Sequence, residues 1–264
     1  MNNDQSKILI FQKILIVFLI LLMVFFMLFD FNLFNHPKDN SIITRSILRF
    51  LGGTAFVVML ISFGYSSILS FKNVKKSLLI MIPAFIISIN NFPIIAYLSG
   101  RTTLTEPIYR VYLFLIECLS VGFFEEILFR GIILMFLVKK LEHVKNGLLI
   151  SIVLSSLMFG FIHILNLYSG ASVSSTFLQI GYSFLIGMMW AVMFLKTGNL
   201  WLVMLLHATF NFFGQVMFYL GRVDGRYDIY TIGITALFAG IAAAYTYVIY
   251  RQMTEKPIHD LKSL

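Results

Sequence analysis

Apolar residues fill this chain in stretches of about twenty, and short polar clusters separate them. The apolar runs are continuous and do not alternate, so their period is that of buried or lipid-facing helices, not of barrel strands. Crossing about 30 Å of hydrocarbon takes roughly twenty residues in a helix. The pattern predicts eight such spans, at 8–29, 47–71, 77–98, 108–138, 147–167, 173–195, 199–220 and 229–250. Asn90 and Asn91, just before Pro93, predict a break within the third.

Composition agrees with the pattern. Of 264 residues, 59% are hydrophobic and 12% charged, and the mean hydropathy is +0.90. Soluble domains carry about 25% charged residues. The expected fold class is therefore an all-α polytopic membrane protein, a single integral domain over 1–264, with an intramembrane site. The first span is longer than the roughly 7–15 apolar residues of a signal peptide core and lacks a small-x-small site, so it reads as retained. The connections are short and hold no repeat, linker or nucleotide-binding glycine loop.

Net charge is +8, but the basic residues do not gather into a nucleic-acid patch. They flank the spans instead. With eight spans, eleven of the twelve lysines fall on the side shared by both termini, whereas Lys38, Arg45, Arg49, Arg101, Arg110, Arg222 and Arg226 fall opposite. The positive-inside rule then places both termini in the cytoplasm of a multi-pass cell-membrane protein. The single cysteine, Cys118, forms no intrachain disulfide and reads as a small buried residue.

A few polar residues interrupt the apolar runs. The fourth span holds Glu125, Glu126 and Arg130, and a charge at bilayer depth costs roughly 2.5–3.5 kcal/mol on insertion scales. Such residues face a protein interior and find partners there. His163 lies in the fifth span; His207 and Asn211 lie in the seventh. At 1.5 Å per residue, Glu125 is about 21 Å from the cytoplasmic edge, His163 about 24 Å, and His207 and Asn211 about 12 and 18 Å. Three helices thus bring polar groups to overlapping depths. His36, His143 and His259 read as solvated.

Spacing divides their work. Glu126 and Arg130, four apart with the acid first, suit an ion pair along the helix. Glu125 is turned about 100° away and can point elsewhere. His207 and Asn211, also four apart, reach one small volume. A carboxylate in an apolar pocket can take a proton from water, a histidine can orient that water or pass the proton on, and imidazole and amide donors can stabilise an oxyanion. Glu125, His163 and His207 could alternatively hold zinc, although no HExxH helix is present. Zinc or no cofactor both remain open at this point. Glu117 reads as an interior polar group without chemistry, and Gln179 and Tyr182 as groups able to line a cavity. The small residues from Gly233 to Ala244 permit close helix contact.

The ordered set Glu125-Glu126-x-x-x-Arg130, Phe159-x-x-x-His163 and His207-x-x-x-Asn211 resembles the CPBP family, the CAAX-protease and bacteriocin-processing (Abi) group of intramembrane proteases. The motifs span roughly 119–213, within a core of about 108–220. The resemblance implies an intramembrane endopeptidase acting on membrane-associated peptide or protein substrates. It further implies that Glu125 activates water with His163 while His207 and Asn211 support the oxyanion. Members are labelled metalloproteases, and a metal-free glutamate mechanism is also proposed. Eukaryotic relatives remove the last three residues of prenylated CAAX proteins; compact prokaryotic members suggest leader or signalling peptides, bacteriocin immunity or membrane-protein cleavage. Two other classes compete. One is an inactive relative acting as an immunity or scaffold protein, and the other is a proton-coupled transporter, which the lack of paired halves with broken helices disfavours.

Overall fold

A computed structural model of the chain describes residues 32–62, 64–71, 73–168, 170–224 and 229–254, together with six helical positions (14, 17, 18, 21, 22 and 25) of the first apolar stretch. The rest of the expected span 8–29 lies outside the described residues, as do Lys7, Lys13, Lys72, Arg226, Lys256, His259 and Lys262. The described chain is almost wholly helical: α1 (Pro37–Ser62), α2 (Val74–Ile89), α3 (Ile94–Leu98), α4 (Ile108–Glu126), a π-helical segment (Ile127–Leu134), α5 (Met135–Lys140), α6 (Gly147–Phe161), a 3-10 turn (Ile162–Leu167), α7 (Val173–Thr197), α8 (Leu200–Tyr219) and α9 (Ile229–Thr254). Among the described residues, five helices are long and apolar enough to cross a membrane: α1, α6 with its 3-10 extension, α7, α8 and α9. This is an all-α, multi-pass membrane architecture.

The predicted breaks and edges shift in places. The third span ends at Ile89, and Asn90 to Pro93 turn the chain into the short α3. The second begins ten residues earlier than the apolar window implies, at Pro37, whose fixed φ and missing N–H suit a first helical turn. Arg45, outside the expected span, therefore lies inside α1 with Arg49. The fourth span runs unbroken from Ile108 to Lys140 but changes to π geometry at Ile127.

Helix α4 is the centre of the packing. It lies chiefly against α1 and α8, and α6 packs against α7. Close approach to α8 depends on Gly122, where a Cβ would stand 2.5 Å from the Met204 carbonyl oxygen. On the other flank Phe124 stacks on Phe56 of α1, with ring centroids 5.1 Å apart. Helices α7 and α8 meet at a tight corner. Gly198, at φ +64°, ends α7 in the left-handed conformation that a glycine adopts without strain, and Asn199 caps α8 by accepting the Leu202 N–H at 3.1 Å.

One end of the bundle is clasped by polar contacts. Strand β1 (Thr102–Leu104) pairs antiparallel with β2 (Gly221–Val223), joining the entry of α4 to the exit of α8. Beside this ribbon Lys38 donates to Glu106 at 2.6 Å and Arg110 to Asp39 at 2.7 Å, while Arg110 also pairs with Glu106. The Lys38 and Arg110 hydrogen bonds hold the Glu106 carboxyl below its ordinary pKa.

Candidate active site

Glu125 and Glu126 close the α-helical part of α4, directly before the π segment. π geometry within an α-helix is rare and occurs frequently at functional sites. Both glutamates are buried, Glu125 at 4% exposure and Glu126 at 0%. Their side chains diverge, as their 100° offset predicts, and face opposite nitrogens of His207.

Glu126 faces inward to two donors. Arg130 Nη1 donates to its Oε1 at 2.9 Å, so the expected i,i+4 pair is present. The same oxygen lies 2.7 Å from His207 Nδ1, a contact between helices that spacing alone does not reveal. Arg130, itself 1% exposed, also donates from Nη2 to the Gly187 carbonyl at 3.1 Å and lies over the Phe159 ring at 4.5 Å. A buried charge needs this degree of pairing, because leaving one partner alone costs about 3–5 kcal/mol.

Glu125 faces a cavity of about 210 Å³ that is also lined by His163, His207 and Asn211. The four polar residues expected to meet at one depth therefore line one cavity. Glu125 Oε2 has no hydrogen-bond partner among the described residues and stands 3.9 Å from His207 Nε2. That is too long for a direct hydrogen bond and short enough for one water to bridge.

Each imidazole has a fixed outer contact. His207 stacks on Trp190, centroids 4.2 Å apart, and meets the Phe159 ring edge-on at 5.7 Å. His163 sits in the 3-10 turn after α6, with Nδ1 3.4 Å from Gln179 Nε2 of α7. Gln179 in turn accepts from Asn166 Nδ2 at 2.7 Å through its Oε1. With its oxygen turned to Asn166, Gln179 turns its NH₂ to His163. Gln179 is thus a partner of His163, more than the cavity-lining group that the sequence suggested; a polar side chain on an otherwise apolar stretch of α7 was its only signal.

Glu117 lies in the interior, paired with cations of α1. It accepts Arg49 Nη1 at 3.1 Å, has Arg45 Nε at 3.4 Å, and lines the same cavity as Glu125. Cys118 is buried beside it, as expected of a small packing residue. For zinc, the donors do not assemble: among the described residues no three His, Cys, Asp or Glu side chains are grouped to hold one ion. His207 Nδ1 faces Glu126 and only its Nε2 faces Glu125, short of the three protein ligands of a catalytic zinc site.

Residues 107–213 match the family model for the type II CAAX prenyl endopeptidase, Rce1-like. The matched segment opens at the residue preceding α4 and closes within α8, so it contains every residue of the three motifs, and it accords with the resemblance to CAAX proteases. No curated protein and no solved structure matches the chain.

Proposed function

We propose that the chain, with its Rce1-like segment at 107–213, is an intramembrane endopeptidase that hydrolyses membrane-associated peptides with Glu125 as the general base. The single observation that carries the reading is the buried, unpartnered Glu125 Oε2, set 3.9 Å from His207 Nε2 in a polar cavity.

Hydrogen-bond chemistry supports a division of roles. A carboxylate paired with a guanidinium has only acceptors to offer, so the contact with Glu126 requires the proton on His207 Nδ1. In the neutral ring Nε2 is then an acceptor. A water between Glu125 Oε2 and His207 Nε2 donates one hydrogen to each, and its oxygen lone pairs are left to face a substrate carbonyl. Glu125 takes the proton as the water oxygen bonds to the carbonyl carbon. When the C–N bond breaks, Glu125 delivers that proton to the leaving amine, and a carboxylic acid and an amine result.

His163 takes the complementary part. Because Gln179 donates to its Nδ1, the neutral ring carries its hydrogen on Nε2. That N–H and the Asn211 amide are the donors we assign to the oxyanion. This exchanges the two histidines relative to what the resemblance implies, where His163 acts on the water and His207 on the oxyanion.

The test is a mixture of apolar peptides incubated with the purified full chain in detergent micelles, with products identified by mass spectrometry. Glu125→Gln is expected to lower cleavage by about 10²-fold or more. Undiminished cleavage by that variant would remove Glu125 from the chemistry.

A further inference from the structure

The cavity that holds Glu125 meets a larger groove at a throat built of amides. The groove, about 830 Å³ and mostly apolar, runs between α2, α7, α8 and α9. Seven residues line both volumes, and four of them carry a primary amide: Asn166, Gln179, Asn211 and Gln215. None of the seven is charged.

Three segments supply these amides. Asn166 lies in the 3-10 turn after α6, Gln179 on α7, and Asn211 and Gln215 on α8. His207, Asn211 and Gln215 follow one another at intervals of four, so they form one stripe of α8 with steps of about 6 Å. Gln179 is engaged at both ends of its amide, by Asn166 and by His163. The bond to Gln179 uses Asn166 Nδ2 and leaves its Oδ1 open. The side chains of Asn211 and Gln215 make no hydrogen bond among the described residues.

This chemistry selects an occupant. A primary amide offers an acceptor oxygen and N–H donors, the same two functions as a peptide group. In hydrocarbon a helix satisfies its own backbone, whereas an unwound stretch leaves N–H and C=O groups unpaired at high cost. Glu125 can serve only an unwound stretch, because a carbonyl inside a helix is already bonded and walled in by side chains. Amides at the throat replace the bonds that such a stretch gives up.

We infer that the four amides form a collar that pairs with the backbone of an unwound substrate segment, with Gln215 as its dedicated binding residue. The inference rests on the endopeptidase reading above for the passage from groove to cavity. Asn211 also serves the oxyanion, Gln179 holds His163 and Asn166 orients Gln179. Gln215, about 12 Å along α8 from His207, has no second task. A collar of this kind reads peptide groups and is indifferent to the order of apolar side chains.

The test is binding, which needs no turnover. N-acetyl-Leu-Ala-Leu-Ala-Leu-Ala-amide, which has no terminal charge, is titrated into the full chain in detergent micelles. Its permuted partner N-acetyl-Ala-Leu-Ala-Leu-Ala-Leu-amide is titrated likewise, as is an analogue of the first with ester oxygens in place of its internal N–H groups. The two peptides are expected to bind within about threefold of each other, and the ester analogue at least about tenfold more weakly. Gln215→Met keeps the length of the side chain and removes its amide. It should weaken peptide binding about fivefold and leave the ester analogue nearly unchanged. Gln215 is exposed, so the unfolding temperature should stay where it is. Equal binding of peptide and ester, an equal loss for both in Gln215→Met, or no peptide binding at all overturns the collar. A cleavage assay separates the two claims. Glu125-dependent cleavage with a KM indifferent to Gln215→Met sinks the collar alone, whereas backbone-selective binding without Glu125-dependent cleavage sinks the endopeptidase reading alone.

Discussion

His207 Nδ1 lies 2.7 Å from Glu126 Oε1, the oxygen that also accepts Arg130 Nη1 at 2.9 Å. One buried oxygen therefore joins α8 to α4 and fixes which imidazole nitrogen faces the cavity. The arrangement links stability and chemistry, because the guanidinium that neutralises Glu126 also keeps it an acceptor for the ring.

The first prediction concerns this pair. Glu126→Gln leaves Arg130 buried without its counter-charge and should destabilise the fold by about 3–5 kcal/mol. Adding Arg130→Met should restore part of that loss. Unfolding of the two single variants and the double variant in detergent checks it; additive losses would argue against a shared buried pair.

Gln179→Leu removes one donor from His163 without touching the proposed base. The expected loss is that of one hydrogen bond, about 1 kcal/mol, or roughly fivefold in kcat, with little change in KM. Gln179→Glu can only accept at Nδ1 when ionised, so it should favour the other tautomer and move the pH profile of kcat. A purely packing role for Gln179 would leave that profile in place.

Gly122→Ala tests the contact between α4 and α8. The added methyl meets the Met204 backbone, which cannot swing aside as a side chain can. Overpacking of this kind costs about 1–3 kcal/mol. A lower unfolding temperature with reduced cleavage is expected, and an unchanged temperature would mean that the helices separate freely here.

The polar clasp predicts a pH effect of definite sign. Glu106 has its pKa lowered from 4.5 by the Lys38 and Arg110 hydrogen bonds, with Asp39 and Tyr109 on the same cluster. A depressed folded-state pKa contributes stability that is complete above the ordinary value and fades as pH falls through the lowered one. Thermal unfolding between pH 7 and pH 3 should therefore fall less steeply in Glu106→Gln than in the parent chain.

Much of the site could be read from the sequence because polar groups in apolar spans are costly and hence few. Glu125, His163, His207 and Asn211 stood out on those grounds, and the cavity contains all four. The Glu126–Arg130 pair followed from their spacing on one helix. The His207–Glu126 contact did not, because 81 residues separate the partners and no periodicity states how α8 is rotated against α4. The change to π geometry was hidden for a different reason: apart from Arg130, Ile127 to Leu134 has the apolar make-up of an α-helical span, and hydropathy has no term for the ring size of the hydrogen bonds. Arg45 and Arg49 read as flanking charge because the apolar window opens beside them, although α1 starts earlier and turns both towards Glu117. The β1–β2 ribbon, at three residues a strand, is too short to leave a pattern.

The face-to-face stack of Trp190 on His207, at 4.2 Å, equips the molecule with an optical reporter. Indole emission is quenched by a charged imidazole in contact with it. The sequence has only two tryptophans, and the other, Trp201, packs instead on Phe71. With Trp201 replaced by phenylalanine, the brightness of the remaining indole becomes a direct readout of the charge on His207, followed in real time and with no label attached.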